Sequence, residues 1–121
     1  MEAYIKNVIK LGLLLLLTIG GCRHLTAPDN NPQWVNNLII KFEGEPVGSP
    51  PQSIWRYEYK GQFVYYVPAQ CCDQFSTLYD SNGNMICAPD GGFTGHGDGG
   101  CSDFFQSRRK ETLIWRDPRK N

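Results

Sequence analysis

The sequence has no net charge, few histidines and no apolar run long enough to cross a membrane. Twelve basic side chains balance twelve acidic ones, and there are two histidines in 121 residues. Nucleic acids and anionic surfaces attract an excess of positive charge, so this balance favours neither partner. The apolar run from Leu11 to Ile19 is about half of the roughly 20 residues that a spanning helix needs, so a permanent membrane span is the weaker interpretation.

Catalytic motifs are also absent. There is no G-x-S-x-G, H-E-x-x-H or C-x-x-C pattern, which gives no support for a serine hydrolase, a zinc protease or a thiol oxidoreductase. Asp73, Ser76 and His96 could meet in space, but almost any small domain offers such a trio. The sequence therefore favours a protein that is not an enzyme.

The first residues have the pattern of an export signal. Lys6 and Lys10 precede the apolar run, and small residues stand just before Cys22. The segment Ile-Gly-Gly-Cys resembles the lipobox of bacterial lipoproteins, in which the cysteine is lipidated and becomes the mature N-terminus. We therefore predict a lipoprotein-type signal peptide over residues 1–21 and a palmitate-bearing membrane anchor at Cys22.

The cysteine count supports this interpretation. Five is an odd number, and lipidation of Cys22 leaves an even set for disulfides in an oxidising compartment. That set is Cys71, Cys72, Cys87 and Cys101. A bond between adjacent cysteines requires a strained ring, so we expect Cys71 and Cys72 each to reach Cys87 or Cys101. Two connectivities remain open.

The rest of the chain divides into a tether, a domain and a short tail. Residues 22–31 are polar and lack periodicity, which suits a flexible tether. Residues 32–117 have the length of a single small domain, and residues 118–121 follow the Asp117-Pro118 stop. Without residues 1–21 the chain keeps ten basic and eleven acidic side chains, so the predicted mature protein is nearly neutral.

A helix is predicted at the start of the domain. Asn31 is a suitable N-cap and Pro32 a suitable first helical residue, while Gly44 can end the helix in a left-handed cap. Apolar residues between them recur at i, i+3, i+4 and i+7: Val35, Leu38, Ile39 and Phe42. This amphipathic stripe predicts a helix that packs against a core.

Residues 53–67 change to the period of a strand. Trp55, Tyr57 and Tyr59 alternate with charged residues, and Lys60-Gly61 predicts a hairpin turn before a returning strand from Phe63 to Val67. We expect the aromatic row to pack on the helix. The alternative is an exposed platform for carbohydrate or peptide.

A second hairpin is predicted from residues 75–80 and 84–88. Asp80 begins a type I turn that Gly83 closes in the left-handed conformation, which pairs Asp80 with Asn84 and Leu78 with Ile86. A two-residue Asn-Gly turn would shift this register by one. Residues 102–109 favour a short helix and residues 112–115 a last strand. The predicted fold class is α+β, with one N-terminal amphipathic helix packed on a small antiparallel sheet of hairpins and stapled by disulfides.

Three segments carry a family resemblance: YEYKGQFVYYVPAQCCDQFSTLYD, NGNMICAPDGGFTGHGDGGC and LIWRD. With their CCD, PDGG and GDG pieces they resemble an uncharacterised family of small exported bacterial proteins, many of them predicted lipoproteins. The resemblance covers residues 34–117. It implies a compartment and a domain, and it implies no reaction.

Metal binding is the main alternative for the loop between Cys87 and Cys101. Asp90 and Asp98 could supply oxygens to calcium, although the loop lacks the residue order of the known twelve-residue calcium site. Zinc has a possible ligand set in Cys72, Cys87, His96 and Cys101, but its spacing lacks the close pairs typical of structural zinc sites. We expect no cofactor and a loop whose Asp and Gly residues form turns.

The sequence thus predicts a lipid-anchored protein of the bacterial cell envelope, on its periplasmic or surface face, that acts as a non-enzymatic binding or structural module. Its expected partners are the membrane, through the anchor, and an unidentified envelope protein or ligand. The alternative function is an ion-dependent module or enzyme centred on Asp90, His96 and Asp98.

Overall fold

A five-stranded antiparallel sheet forms the centre of the fold. The computed structural model describes residues 30–120. The helices are α1 (Gln33–Glu43) and α2 (Phe104–Ser107), and the strands are β1 (Ser53–Tyr59), β2 (Gln62–Val67), β3 (Thr77–Tyr79), β4 (Met85–Cys87) and β5 (Arg109–Arg116). The strand order is β4-β3-β2-β1-β5. The α+β class and the antiparallel sheet are confirmed, with more sheet than helix. The predicted signal peptide, Cys22 and all but the end of the tether lie outside the described residues.

The first hairpin follows its turn chemistry. Tyr59 pairs with Gln62 across Lys60-Gly61, and both turn residues have positive φ, at 50° and 76°. These angles belong to the tight two-residue turns whose twist matches that of the flanking strands. The predicted first hairpin is therefore confirmed.

No helix within residues 30–120 is long and apolar enough to cross a membrane.

The two faces of the sheet carry separate cores. On one face, called here the helix face, α1 packs with Val35 against Ile54 and Tyr65. On the other, the disulfide face, Tyr57 and other strand residues pack around Phe104 and the buried cysteines Cys87 and Cys101. The prediction that the row of Trp55, Tyr57 and Tyr59 packs on the helix is wrong, since the row lies on the disulfide face. Strand alternation shows which residues share a face and leaves open which element covers it.

Both predicted caps of α1 are corrected. Pro32 occupies the N-cap position itself, rather than the first helical position after an Asn31 cap. Gly44 ends the helix in the right-handed conformation, with φ −82° and ψ −10°. The predicted tail contacts the C-terminal end of α1, because the Arg119 guanidinium donates to the carbonyl oxygens of Phe42 and Glu43. Arg119 also forms an ion pair with the buried carboxylate of Asp117.

The second hairpin has the predicted turn and a shifted register. Asp80 and Asn84 are joined by a backbone hydrogen bond of 2.9 Å, and Gly83 has φ 84°. An irregularity between Leu78 and Tyr79 then pairs Leu78 with Cys87 instead of Ile86. This shift matters because it directs Cys87 into the disulfide face, where it is buried. The last strand also begins earlier than predicted, at Arg109.

Candidate functional site

Asp90, the first predicted ligand residue, is hydrogen-bonded inside the protein. The Tyr66 hydroxyl donates to its two carboxylate oxygens at 2.9 and 3.1 Å. Its backbone is held as well, since the Asp90 amide donates to the Ser76 hydroxyl at 3.1 Å. Burial raises the pKa of the Tyr66 hydroxyl above its ordinary value, and the hydrogen bond to Asp90 raises it further. Asp90 therefore joins the loop to β2.

Asp98 organises the loop backbone. Its carboxylate accepts from the amides of Gly100 at 2.8 Å and Ala88 at 3.0 Å, and these bonds hold its pKa below the ordinary value. Gly97 lies close to the same segment, because a Cβ there would stand 2.0 Å from the Ala88 carbonyl oxygen. The glycine at this position allows the loop to fold back against Ala88.

His96 is exposed, and its backbone amide donates to the Thr94 hydroxyl at 3.4 Å. Among residues 30–120, no group of three or more His, Cys, Asp or Glu side chains is placed to hold a metal ion. The structure thus places Asp90 and Asp98 in hydrogen bonds to the protein's own groups and leaves the His96 side chain outside them.

The cysteines form bonds that the sequence prediction excluded. Cys87 bonds to Cys101, and Cys71 bonds to its neighbour Cys72. The expectation that Cys71 and Cys72 each reach Cys87 or Cys101 is therefore wrong. The Cys87–Cys101 pair is buried in the disulfide face, whereas Cys71 and Cys72 are exposed in the loop between β2 and β3. Cys87 lies in this core because of the shifted β3–β4 register. All three cysteines of the possible zinc set are thereby occupied.

Tyrosine hydroxyls on the disulfide face also bond to carboxylates of the last part of the chain. Tyr57 donates to Glu111 at 2.9 Å and Tyr59 to Asp103 at 2.6 Å. Arg108 lies over the Tyr57 ring, 4.7 Å from its centroid. Burial, and then the bond to Glu111, raise the pKa of Tyr57 to about 12. These bonds join β1 to Glu111 on β5 and to Asp103 at the start of α2.

A cleft of about 480 Å³ opens where β1 begins and β5 ends, at Ser53 and Arg116. Its lining consists of prolines, a tryptophan, two small or amide side chains and one cation: Pro50, Pro51, Pro68, Trp55, Ser53, Gln70 and Arg116. Sheet register creates the site, because Arg116 pairs with Ser53 and directly opposed residues share a face. This volume is in the range of small-molecule sites. We name it the Trp55–Arg116 cleft.

The two residues that give the cleft its name are in contact. The Arg116 guanidinium carbon stands 5.6 Å from the centroid of the Trp55 ring, within the range of a cation–π interaction. The Trp55 indole N–H donates to the Ser53 hydroxyl at 3.0 Å, and this bond holds the orientation of the ring. Trp55 thus presents a ring face beside a positive charge.

Arg116 has no acidic partner within residues 30–120, unlike several other basic residues of the domain. Lys60 pairs with Asp103, Lys110 with Glu58, and Arg119 with Asp117. Within the described part of the chain, the Arg116 side chain makes no ion pair and no hydrogen bond, and no carboxylate lines its cleft. Its N–H donors are available to a ligand.

A smaller groove of about 190 Å³ lies on the helix face, between α1 and β3. Pro68 and Gln70 line both the groove and the Trp55–Arg116 cleft. The loop that carries Cys71 and Cys72 starts at these residues, so it forms part of the wall of each cavity. The Gln70 side-chain oxygen is buried in this wall without a hydrogen-bond partner among residues 30–120.

Sequence reasoning missed the cleft because its residues come from separate parts of the chain. The two adjacent prolines, Trp55 and Arg116 have no spacing that relates them before β1 and β5 are paired. The sequence offered two signals: the spacing of two residues that puts Ser53 and Trp55 on one face of a strand, and the composition of the last strand. Neither predicts the register that brings Arg116 over the indole.

Comparison with known proteins gives a family and no activity. No curated protein and no solved structure matches the chain. The model of a family described as "Domain of unknown function (DUF6970)" matches residues 40–117, which include β1 to β5, both disulfides and the Trp55–Arg116 cleft. This match confirms the expectation of an uncharacterised family. The chain belongs to the DUF6970 family of domains of unknown function.

Proposed function

We propose that this protein is a non-enzymatic binding module of the bacterial cell envelope, anchored to a membrane by a lipid on Cys22, and that it holds its ligand in the Trp55–Arg116 cleft. The cleft is the observation that carries the proposal. It combines the volume of a small-molecule site, an aromatic ring and a cation that has no acidic partner within residues 30–120. Ligand sites commonly combine such apolar walls with a few polar groups that fix orientation.

The sequence supports the location and the anchor. The charged, apolar and small-residue segments before Cys22 have the order of a lipoprotein signal, and the odd cysteine count leaves Cys22 outside the disulfide set. The sequence predicts a polar tether over residues 22–31, between the anchor and the domain. Such an arrangement suits a module that captures a ligand near the membrane.

The internal hydrogen bonds of Asp90 and Asp98 favour this proposal over an ion-dependent module. Tyr66 and two backbone amides already occupy these carboxylates. An ion at the loop would compete with those donors for the carboxylate oxygens, and within residues 30–120 no group of three or more His, Cys, Asp or Glu side chains is placed to hold it. The Arg116 guanidinium, in contrast, has no hydrogen-bond or ion-pair partner within residues 30–120 and can offer its donors to a ligand.

Two measurements test the two parts of the proposal. In an exporting bacterium we expect labelled palmitate to enter the wild-type chain and the chain to remain with the membrane fraction, while Cys22→Ser loses both properties. Unchanged processing and fractionation of Cys22→Ser would contradict the anchor. For the binding part, a thermal-shift screen of the full chain in detergent with sugars, sugar acids, peptides and phosphates should give compounds that stabilise it. A screen in which no compound stabilises the chain would contradict the binding function.

A further inference from the structure

The charge of the cleft indicates the chemistry of its ligand. Among the described residues that line the cleft, Arg116 is the single cation, and the others carry no charge: three prolines, Trp55, Ser53 and Gln70. A guanidinium is permanently protonated and presents N–H donors in a planar fork that matches the oxygens of an anion. An anionic group on the ligand would therefore meet charge complementarity without competition from a carboxylate of the protein.

The number of donors favours a carboxylate over a phosphate. One guanidinium fork satisfies the two oxygens of one carboxylate. A phosphate has more oxygens and a greater charge, and proteins usually surround it with several basic groups or backbone amides at a helix N-terminus. No second basic side chain from residues 30–120 lines the cleft, and the lining residues belong to strands and loops.

The walls indicate what the carboxylate is attached to. Pro50, Pro51 and Pro68 offer rings without charge, and Trp55 offers a flat face. Such surfaces gain free energy when they cover apolar or planar parts of a ligand. Because Arg116 lies over the same indole, a carboxylate bound to it would place its attached body along the prolines and the ring.

We infer that the Trp55–Arg116 cleft binds a small organic carboxylate whose body is apolar or planar, with Arg116 as the anion-binding residue. This inference rests on the proposed binding function and adds the class of ligand. It also assigns Trp55 the role of a platform for the ligand body. The aromatic row of the first hairpin thus contributes one member to a binding surface, while Tyr57 and Tyr59 stay in the core.

The test compares acids with their neutral counterparts. Saturation-transfer NMR on the full chain in detergent would measure benzoate against benzamide, indole-3-acetate against its amide, and glucuronate against glucose. We expect at least one acid to bind and its neutral counterpart to bind about 10- to 100-fold more weakly, the range for the loss of a hydrogen bond to a charged group. Arg116→Gln should weaken that acid by the same factor.

Arg56 supplies the matched control. It also lies over an aromatic ring, 5.1 Å from the centroid of Phe63, but it belongs to the opposite face of β1 from Trp55. Arg56→Gln therefore changes the same charge and should leave the affinity for the acid unchanged. Equal losses in Arg56→Gln and Arg116→Gln would overturn the inference, because they would indicate a general effect of net charge.

The outcomes separate the class of ligand from the function itself. If a neutral compound binds as tightly as its acid and Arg116→Gln leaves both unchanged, the carboxylate inference fails while the binding function stands. If none of the six probes binds at 10 mM, the assignment of ligand class is also overturned. The wider thermal-shift screen then decides whether the binding function fails with it.

Discussion

The Tyr66 hydroxyl bridges the two oxygens of the Asp90 carboxylate, at 2.9 and 3.1 Å, and so ties the glycine-rich loop to β2. Removal of the hydroxyl in Tyr66→Phe leaves this carboxylate without that donor. We expect the free energy of unfolding to fall by about 1.5–3 kcal/mol, the range for hydrogen bonds to charged groups. Urea unfolding of a chain carrying Cys22→Ser measures the difference.

Tyr79 offers a control for this prediction. It is on the helix face, where its ring contacts Trp34, and its hydroxyl makes no hydrogen bond within the described residues. Tyr79→Phe should change the unfolding free energy by no more than about 0.5 kcal/mol. Equal effects of the two substitutions would show that the Tyr66–Asp90 bond contributes nothing specific.

Two glycines of the same loop separate backbone strain from close packing. Both Gly95 and Gly97 have positive φ, but a Cβ at Gly95 meets nothing within 4 Å, whereas one at Gly97 meets the Ala88 carbonyl oxygen. Gly95→Ala should cost roughly 1 kcal/mol, for the left-handed conformation alone. Gly97→Ala should cost a further amount of about 1–3 kcal/mol, because the backbone must shift. Similar losses in denaturant unfolding would contradict the tight contact with Ala88.

The two disulfides should contribute very differently to stability. Cys87 and Cys101 are 14 positions apart, and closure of a loop of that length is worth about 3 kcal/mol in the chain-entropy model. Cys71 and Cys72 are adjacent, so their bond restricts almost no chain in the unfolded state. Replacement of both Cys87 and Cys101 by serine should therefore lower the free energy of unfolding by about 3 kcal/mol. Replacement of both Cys71 and Cys72 should lower it far less. The reverse order in thermal or urea unfolding would refute this account.

Stability should decline in acid partly through Asp98. Backbone amides lower its pKa in the folded protein, whereas the unfolded chain has the ordinary value near 4. As the pH falls, the unfolded state therefore binds a proton at Asp98 before the folded state does. The contribution of Asp98 to the free energy of unfolding is complete above the ordinary pKa and is lost as the pH falls through the lower folded pKa. Asp98→Asn should be less stable than wild type at pH 7, and the gap should close below about pH 4. A gap that persists unchanged to pH 2 would contradict the assigned hydrogen bonds.

The parts of the fold that sequence reasoning predicted are those encoded by neighbouring residues. Lys60-Gly61 and Asp80 with Gly83 determine their turns through local backbone preferences. The element that covers each sheet face depends on distant segments, so strand alternation alone does not show that the Trp55 row packs on Phe104 and the buried disulfide rather than on α1. The register shift between Leu78 and Tyr79 likewise directs Cys87 toward Cys101, and residue spacing alone does not predict that shift.

The candidate site shows the same limit. A loop rich in Asp and Gly attracts attention in a sequence, yet its carboxylates bond to Tyr66 and to backbone amides. The Trp55–Arg116 cleft combines residues that are ordinary in isolation. Only the pairing of β1 with β5 brings the cation over the indole.

The indole N–H signals test the central claim most directly, because they report where a ligand binds. The protein has three tryptophans. Trp55 lies at the cleft, while Trp34 donates to the Ser81 carbonyl and packs on the helix face. In proton–nitrogen correlation spectra of the full chain, a bound carboxylate should shift the Trp55 signal with saturation and leave Trp34 unmoved. Saturable binding that shifts Trp34 and leaves Trp55 unchanged would place the ligand elsewhere and contradict the account.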